Sequence, residues 1–185
     1  MKLFNDISRW IVFKYKHVVC GKNLTVKGRI IVAETGNLVI GDDVIINSGL
    51  KDNYNTIGNE VVTSFSTVGS GRIELGNRVG ISSTCFYSRD SVIIEDDVMI
   101  GGGCMIFDTD FHPLYYQARI VDDQSETKTA PVRICKGAFI GARSIITKGV
   151  TVGERSVVGA GSVVTKSIPA DEVWGGNPAR LLYRL

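Results

Sequence analysis

Two histidines in 185 residues are too few for a three-histidine zinc centre, and His17 and His112 stand far apart in the chain. No metal is therefore expected. Cysteine is also sparse: Cys20, Cys85, Cys104 and Cys135 show no CxxC spacing, and they read as reduced fillers of a core rather than as redox groups. Charge of either sign is not in excess. A net +2 gives no electrostatic case for nucleic acid or for an anionic membrane. No flat ladder of threonines is present, which excludes an ice-binding face. No secretory signal is recognisable, so the formal glycosylation triplet Asn23-Leu24-Thr25 carries no weight and a cytoplasmic location is expected. Proline is rare, at 4 residues, while glycine is plentiful, at 21.

What the chain does contain is a rhythm of six. Ile134, Ile140, Ile146, Val152, Val158 and Val164 follow one another without a miss. Four residues after each stands a small or branched side chain: Ala138, Ser144, Val150, Ser156, Ser162 and Ile168. Six matches neither the 3.6 of a helix nor the 2 of a single strand. It matches a chain wound into a three-sided prism, with one short strand per side and three hexads per coil of 18 residues. Gly41, Gly76, Gly101, Gly141, Gly153 and Gly159 recur at the expected corners, where turns need freedom from a Cβ.

The hexads begin raggedly near Val18. Ile40 with Val44, Leu75 with Val79, Ile81 with Cys85, Ile94 with Val98 and Ile100 with Cys104 fit the pattern. This places Cys85 and Cys104 at the inward +4 position and Cys135 at the small +1 position. The stretch 50–72 keeps a looser pattern. Upstream, Leu3, Phe4, Ile7, Trp10, Ile11 and Lys14 are spaced for a short amphipathic helix over 3–16. It is too short and too charged to cross a bilayer, and we expect a cap over the open first coil rather than a membrane contact. The expected organisation is a capping helix (1–17), a β-helix (18–170) and a tail (171–185).

The rhythm breaks once. Residues 108–131 hold no hexad, and a loop of that length on a rigid scaffold carries function more often than not. Asp110 falls where the repeat would aim it inward, and an unpaired carboxylate is costly there, so the backbone must leave the coil. The loop contains Asp108-Thr-Asp-Phe-His112-Pro113. An imidazole, with an ordinary pKa near neutrality, suits general-base work at pH 7. His17, at the end of the expected cap, reads as a surface residue.

Taken together, the hexads, the Asp108-Thr-Asp-Phe-His-Pro-Leu114 loop, Gly159-Ala-Gly-Ser-Val-Val-Thr-Lys166 and Gly175-Gly-Asn-Pro-Ala-Arg180 resemble the hexapeptide-repeat acyltransferases over about residues 25–182. The branch that looks most similar is the sugar O-acetyltransferases. The resemblance implies an all-β fold, a left-handed parallel β-helix, assembled as a homotrimer with acetyl-CoA in the groove between two prisms. It implies that His112 is the general base. Ala142 and Ala160 would present backbone groups to the pantetheine arm. Thr165 and Lys166 would lie beside the nucleotide, and Arg180 would reach its phosphates. Ser82, Asp90 and Asp110 would contact the acceptor. Two positions depart from the family pattern: Ser82 stands where an asparagine is usual, and Tyr183 precedes Arg184 where a second basic residue is expected.

The function implied is acetyl transfer from acetyl-CoA to a sugar hydroxyl, as in surface-polysaccharide precursors. A xenobiotic acetyltransferase of the streptogramin or chloramphenicol type, or an amino-sugar N-acetyltransferase, would share the same parts. A non-catalytic β-helix scaffold would have no use for His112.

Overall fold

The computed structural model describes residues 13–33, 37–49, 57–58 and 60–185. Most of the expected N-terminal helix, and part of the irregular stretch 50–72, lie outside these residues. Residues 13–15 are helical, and His17 is exposed.

The described chain winds as a parallel β-helix with three walls. The first wall stacks Val19–Cys20, Leu38–Ile40, Arg72–Leu75, Ser91–Ile94, Val132–Ile134 and Thr151–Val152. The second stacks Thr25–Lys27, Ile45–Asn47, Gly80–Ser82, Met99–Ile100, Phe139–Ile140, Val157–Val158 and Glu172–Gly175, and ends in Arg180–Arg184. The third stacks Ile30–Ala33, Thr63–Thr67, Cys85–Ser88, Met105–Phe107, Ile145–Ile146 and Val163–Val164. All neighbours are parallel except the last pair, where Arg180–Arg184 turns back antiparallel on Glu172–Gly175. The wall thus runs one strand beyond residue 170 before the chain reverses.

All twelve side chains of the sixfold pattern are buried. The register stacks them in columns: Ile94 lies over Ile134 and Ile134 over Val152, while Ile140 lies over Val158. At a coil spacing of about 4.8 Å, each inward aliphatic contributes roughly 1.5–3 kcal/mol. Stability is therefore distributed over nearest-neighbour coils.

The corners correct one expectation. None of the six recurring corner glycines adopts a positive φ; what five of them, all but Gly159, permit is close stacking. A Cβ on Gly141 would lie 2.5 Å from the Ala160 nitrogen, and one on Gly101 2.6 Å from the Ala142 nitrogen. The left-handed residue comes two positions later: Asp43, Arg78, Arg143 and Arg155 have φ between 56° and 60°, Gly103 and Gly161 have φ 77° and 73°, and Asp97 and Asp171 (φ 63° and 59°) take the same place after Glu95 and Pro169. A non-glycine residue is disfavoured there by about 1–2 kcal/mol, and side-chain ladders offset part of this. Arg78 Nε donates to Asp97 Oδ1 at 2.6 Å, and Arg155 Nε to Asp171 Oδ1 at 2.6 Å. The arginines hold both carboxyls below their ordinary range through these hydrogen bonds.

Two cysteine expectations also change. The side that begins at Ile81 holds five residues instead of six, with Ser83 in the left-handed turn and Thr84 and Phe86 buried. Cys85 therefore pairs with outward Met105 and is only half-buried. Cys20 is exposed, while Cys104 is fully buried as expected.

Candidate active site

The excursion loop leaves the prism between the third and first walls. Its neck is zipped: Asp110 N–H donates to Lys128 O at 3.0 Å, Ala130 N–H to Asp108 O at 2.9 Å, and Thr109 pairs with Thr129. Asp108, fully buried, anchors the neck to the corner one coil below. It accepts from Ser88 Oγ at 2.7 Å, Arg89 N–H at 2.8 Å and Asp90 N–H at 2.9 Å. The same bonds fix the backbone of Asp90, one of the expected acceptor contacts.

Phe111 is the pivot. It sits at φ 63°, donates its N–H to Thr109 Oγ1, and packs its ring at 4.8 Å from Tyr87 and 5.2 Å from Phe107. His112 N–H donates to Asp110 O at 2.7 Å. With Pro113 buried behind it, the His112 imidazole is presented to solvent. Beyond it the loop holds the short helix Tyr116–Ile120, and Arg119 ties back to Pro113 O and Leu114 O at 3.2 and 2.9 Å.

The expected site residues fall on two corners and the tail. Asp90, Asp110, His112, Thr165 and Lys166 share the corner between the third and first walls. Ser82, Ala142 and Ala160 share the corner between the second and third. Six residues of extended chain, at most about 20 Å, separate these two corners within one prism. Arg180 is exposed at the start of the final strand, just after Ala179 N–H has bonded to Val163 O at 2.8 Å.

Ala142 and Ala160 differ from their counterparts at the remaining corner. Between the first and second walls, the amides of Asp42 and Asn77 donate to Asn77 Oδ1 and Asp96 Oδ1 of the following coil, both at 2.8 Å. The nitrogens of Ala142 and Ala160 instead stack closely on Gly101 and Gly141 of the preceding coil. Among the described residues they have no hydrogen-bond acceptor. The result is a pair of spaced backbone donors without side chains in front of them, suited to an extended ligand rich in carbonyl groups.

Burial pushes the Cys104 thiol up to about 11, and burial likewise raises Cys135 and Cys20. Among the described residues, no cluster of His, Cys, Asp and Glu could hold a metal ion, and no helix is long and apolar enough to cross a membrane.

The hexapeptide repeat of succinyl-transferases matches residues 91–106 and 131–166, on both sides of the loop. Over these stretches the chain is similar to the hexapeptide-repeat acyltransferases. The fold is that of the left-handed β-helix, against the usual right-handed rule for parallel crossovers. The chain is 34% identical over 121 residues to a Staphylococcus aureus protein named as a candidate acetyltransferase, covering 65% of this chain and 59% of that protein. It is 33% identical over 107 residues to the galactoside O-acetyltransferase of Escherichia coli, covering 54% and 51%. The chain thus spans less than two thirds of the length of these relatives. Among solved structures, it superposes with a TM-score of 0.72 on AntD, an N-acyltransferase of Bacillus cereus in complex with dTDP and 3-hydroxybutyryl-CoA, at 23% identity over 95% of this chain and 87% of that one.

One residue of this hexapeptide-repeat chain was not anticipated. Lys148 Nζ lies 2.7 Å from Asp110 Oδ1. The sequence signal for it was available: Thr147-Lys148 precedes Thr165-Lys166 by 18 residues, one full coil, and so occupies the same corner one coil nearer the loop.

Proposed function

We propose that the protein is an acetyl-CoA-dependent O-acetyltransferase acting on a sugar hydroxyl, with His112 as general base, and that it works as a homotrimer. The observation that carries this reading is an exposed imidazole on a rigidly zipped loop at one corner, paired with open backbone donors along the next. The relatives named above include a galactoside O-acetyltransferase, and the AntD complex contains an acyl-CoA.

In this mechanism His112 takes the proton of the acceptor hydroxyl as its oxygen attacks the thioester carbonyl. A backbone N–H facing the groove stabilises the developing oxyanion. The tetrahedral adduct expels the coenzyme A sulfur, which receives the proton from the imidazolium. Transfer is direct, so no cysteine is required. Ala142 and Ala160 hold the amides of the pantetheine arm, Thr165 and Lys166 border the nucleotide, and Arg180 pairs with a phosphate. Ser82 and Asp90 contact the acceptor.

The two corners come together when copies associate head to tail around a threefold axis, one prism supplying His112 and its neighbour the Ala142–Ala160 edge. Such a heterologous interface closes into a ring. The second wall offers a suitable surface: Ile45, Met99 and Phe139 project outward and are exposed in the isolated chain, in register with one another across Gly80.

An amine acceptor is the second reading, favoured by the superposition on an N-acyltransferase. Thiol release from acetyl-CoA, measured against free sugars, nucleotide sugars, amino sugars and antibiotics, separates the two. Release with hydroxyl-only sugars supports O-transfer, and release confined to amino sugars supports N-transfer. Arg180→Ala should raise the dissociation constant for acetyl-CoA about 10-fold or more, as loss of a charge-assisted bond does, while kcat at saturating donor stays near that of the parent. An unchanged dissociation constant, by calorimetry, would remove Arg180 from the donor site.

A further inference from the structure

The sequence assigned Asp110 to the acceptor, but its carboxylate is turned into the chain. Oδ1 pairs with Lys148 at 2.7 Å, and Oδ2 is buried with no hydrogen-bond partner. An oxygen sealed from solvent is not where a soluble acceptor docks. We propose that Lys148 is a positioning residue for His112: its ammonium clamps Asp110 and so fixes the loop segment that presents the imidazole. This rests on the transferase reading for its catalytic consequence, though not for the clamp itself.

Three observations support it. Among the described residues this is the only ion pair in which neither side chain is more than a third exposed, at 29% for Lys148 and 18% for Asp110. Exposed pairs contribute little, whereas removing one partner of a sheltered pair leaves a charge without compensation. With Oδ2 unpartnered, Asp110 has no second group to replace the lysine. The pair also bridges the loop to the following coil, and Gly149 N–H reinforces it by donating to Ala130 O at 3.0 Å on the loop's returning limb. Finally, the path from Asp110 to the imidazole has little slack. Asp110 O accepts from His112 N–H, and Phe111 between them is wedged against Tyr87 and Phe107. A small shift at Asp110 is therefore passed to the reacting nitrogen, and misplacement of about 1 Å can cost on the order of 100-fold in rate.

The test uses the full chain as Lys148→Met, Lys148→Arg, Asp110→Asn and the Met/Asn double variant. Lys148→Met should lower kcat about 10- to 100-fold with the KM for acetyl-CoA within about twofold, and Lys148→Arg should recover most of the loss. The double variant should be no worse than the poorer single one, because both remove the same clamp. Independently of activity, trypsin should cut the loop at Arg119 and Lys128 faster in Lys148→Met, while the thermal midpoint of the prism stays close to that of the parent. A parental kcat in Lys148→Met, multiplying losses in the double variant, or unaltered loop cleavage would each overturn the proposal. A parent chain that releases no thiol with any acceptor would instead strike the transferase reading, and loop cleavage would still decide whether the clamp exists.

Discussion

His112→Ala should lower acetyl transfer by about 10²–10⁴-fold, the range expected for loss of a positioned general base, with acetyl-CoA binding nearly unchanged. The expected split follows from geometry. His112 projects from the loop, whereas the open amides of Ala142 and Ala160 lie on a different corner, so removing the ring leaves the donor contacts intact. The residue carries no internal load: its side chain is exposed, and its N–H bond to Asp110 O survives the substitution. Steady-state rates with saturating acetyl-CoA, together with calorimetric donor affinity, check both halves. Retention of parental kcat would take the imidazole out of the reaction.

Asp108→Ala should have the largest effect on stability. Three donors converge on this buried carboxylate, from Ser88, Arg89 and Asp90, and alanine would strand them. Each buried donor left unmade costs about 1–3 kcal/mol. The hydroxyl of Ser88 can rotate to another acceptor, so we expect a net loss of roughly 2–4 kcal/mol. Denaturant unfolding at fixed protein concentration measures it. Activity should fall as well, because Asp108 begins the neck that carries His112 and fixes the backbone of Asp90. A variant with parental stability would show that the neck is held mainly by its own backbone ladder.

The architecture was legible because a solenoid writes the same instruction many times. A single apolar residue says little, but six at one spacing define walls and columns, and all of them are buried. The site was legible where it interrupts that rhythm, at Asp108–His112. What the spacing could not carry was local. Cys85 was assigned inward because the hexad was assumed intact; a side of five residues, recognisable only from the turn at Ser83, moved it outward. The corner glycines were attributed to turns when, at all but Gly159, coil-to-coil contact is what demands them, and a contact between residues a full coil or more apart leaves no local signature. Lys148 was overlooked because its partner lies 38 residues earlier, although its kinship with Lys166 by one coil was there to be read. Handedness has no expression in the spacing at all, since a period of six is the same for either hand.

The claim on which the mechanism depends is that the imidazole and the open amides meet across two copies of the chain. It is tested by combining two inactive variants, His112→Ala and Ala160→Trp, the second filling the amide edge with a bulky ring. If each site takes its base from one copy and its amide edge from the next, random assembly of equal amounts leaves about a quarter of the sites intact. Refolding the two together should then restore about a quarter of the parental thiol release, while each alone stays inactive. A mixture as inactive as its components would place both corners of every working site on one chain and would contradict the account.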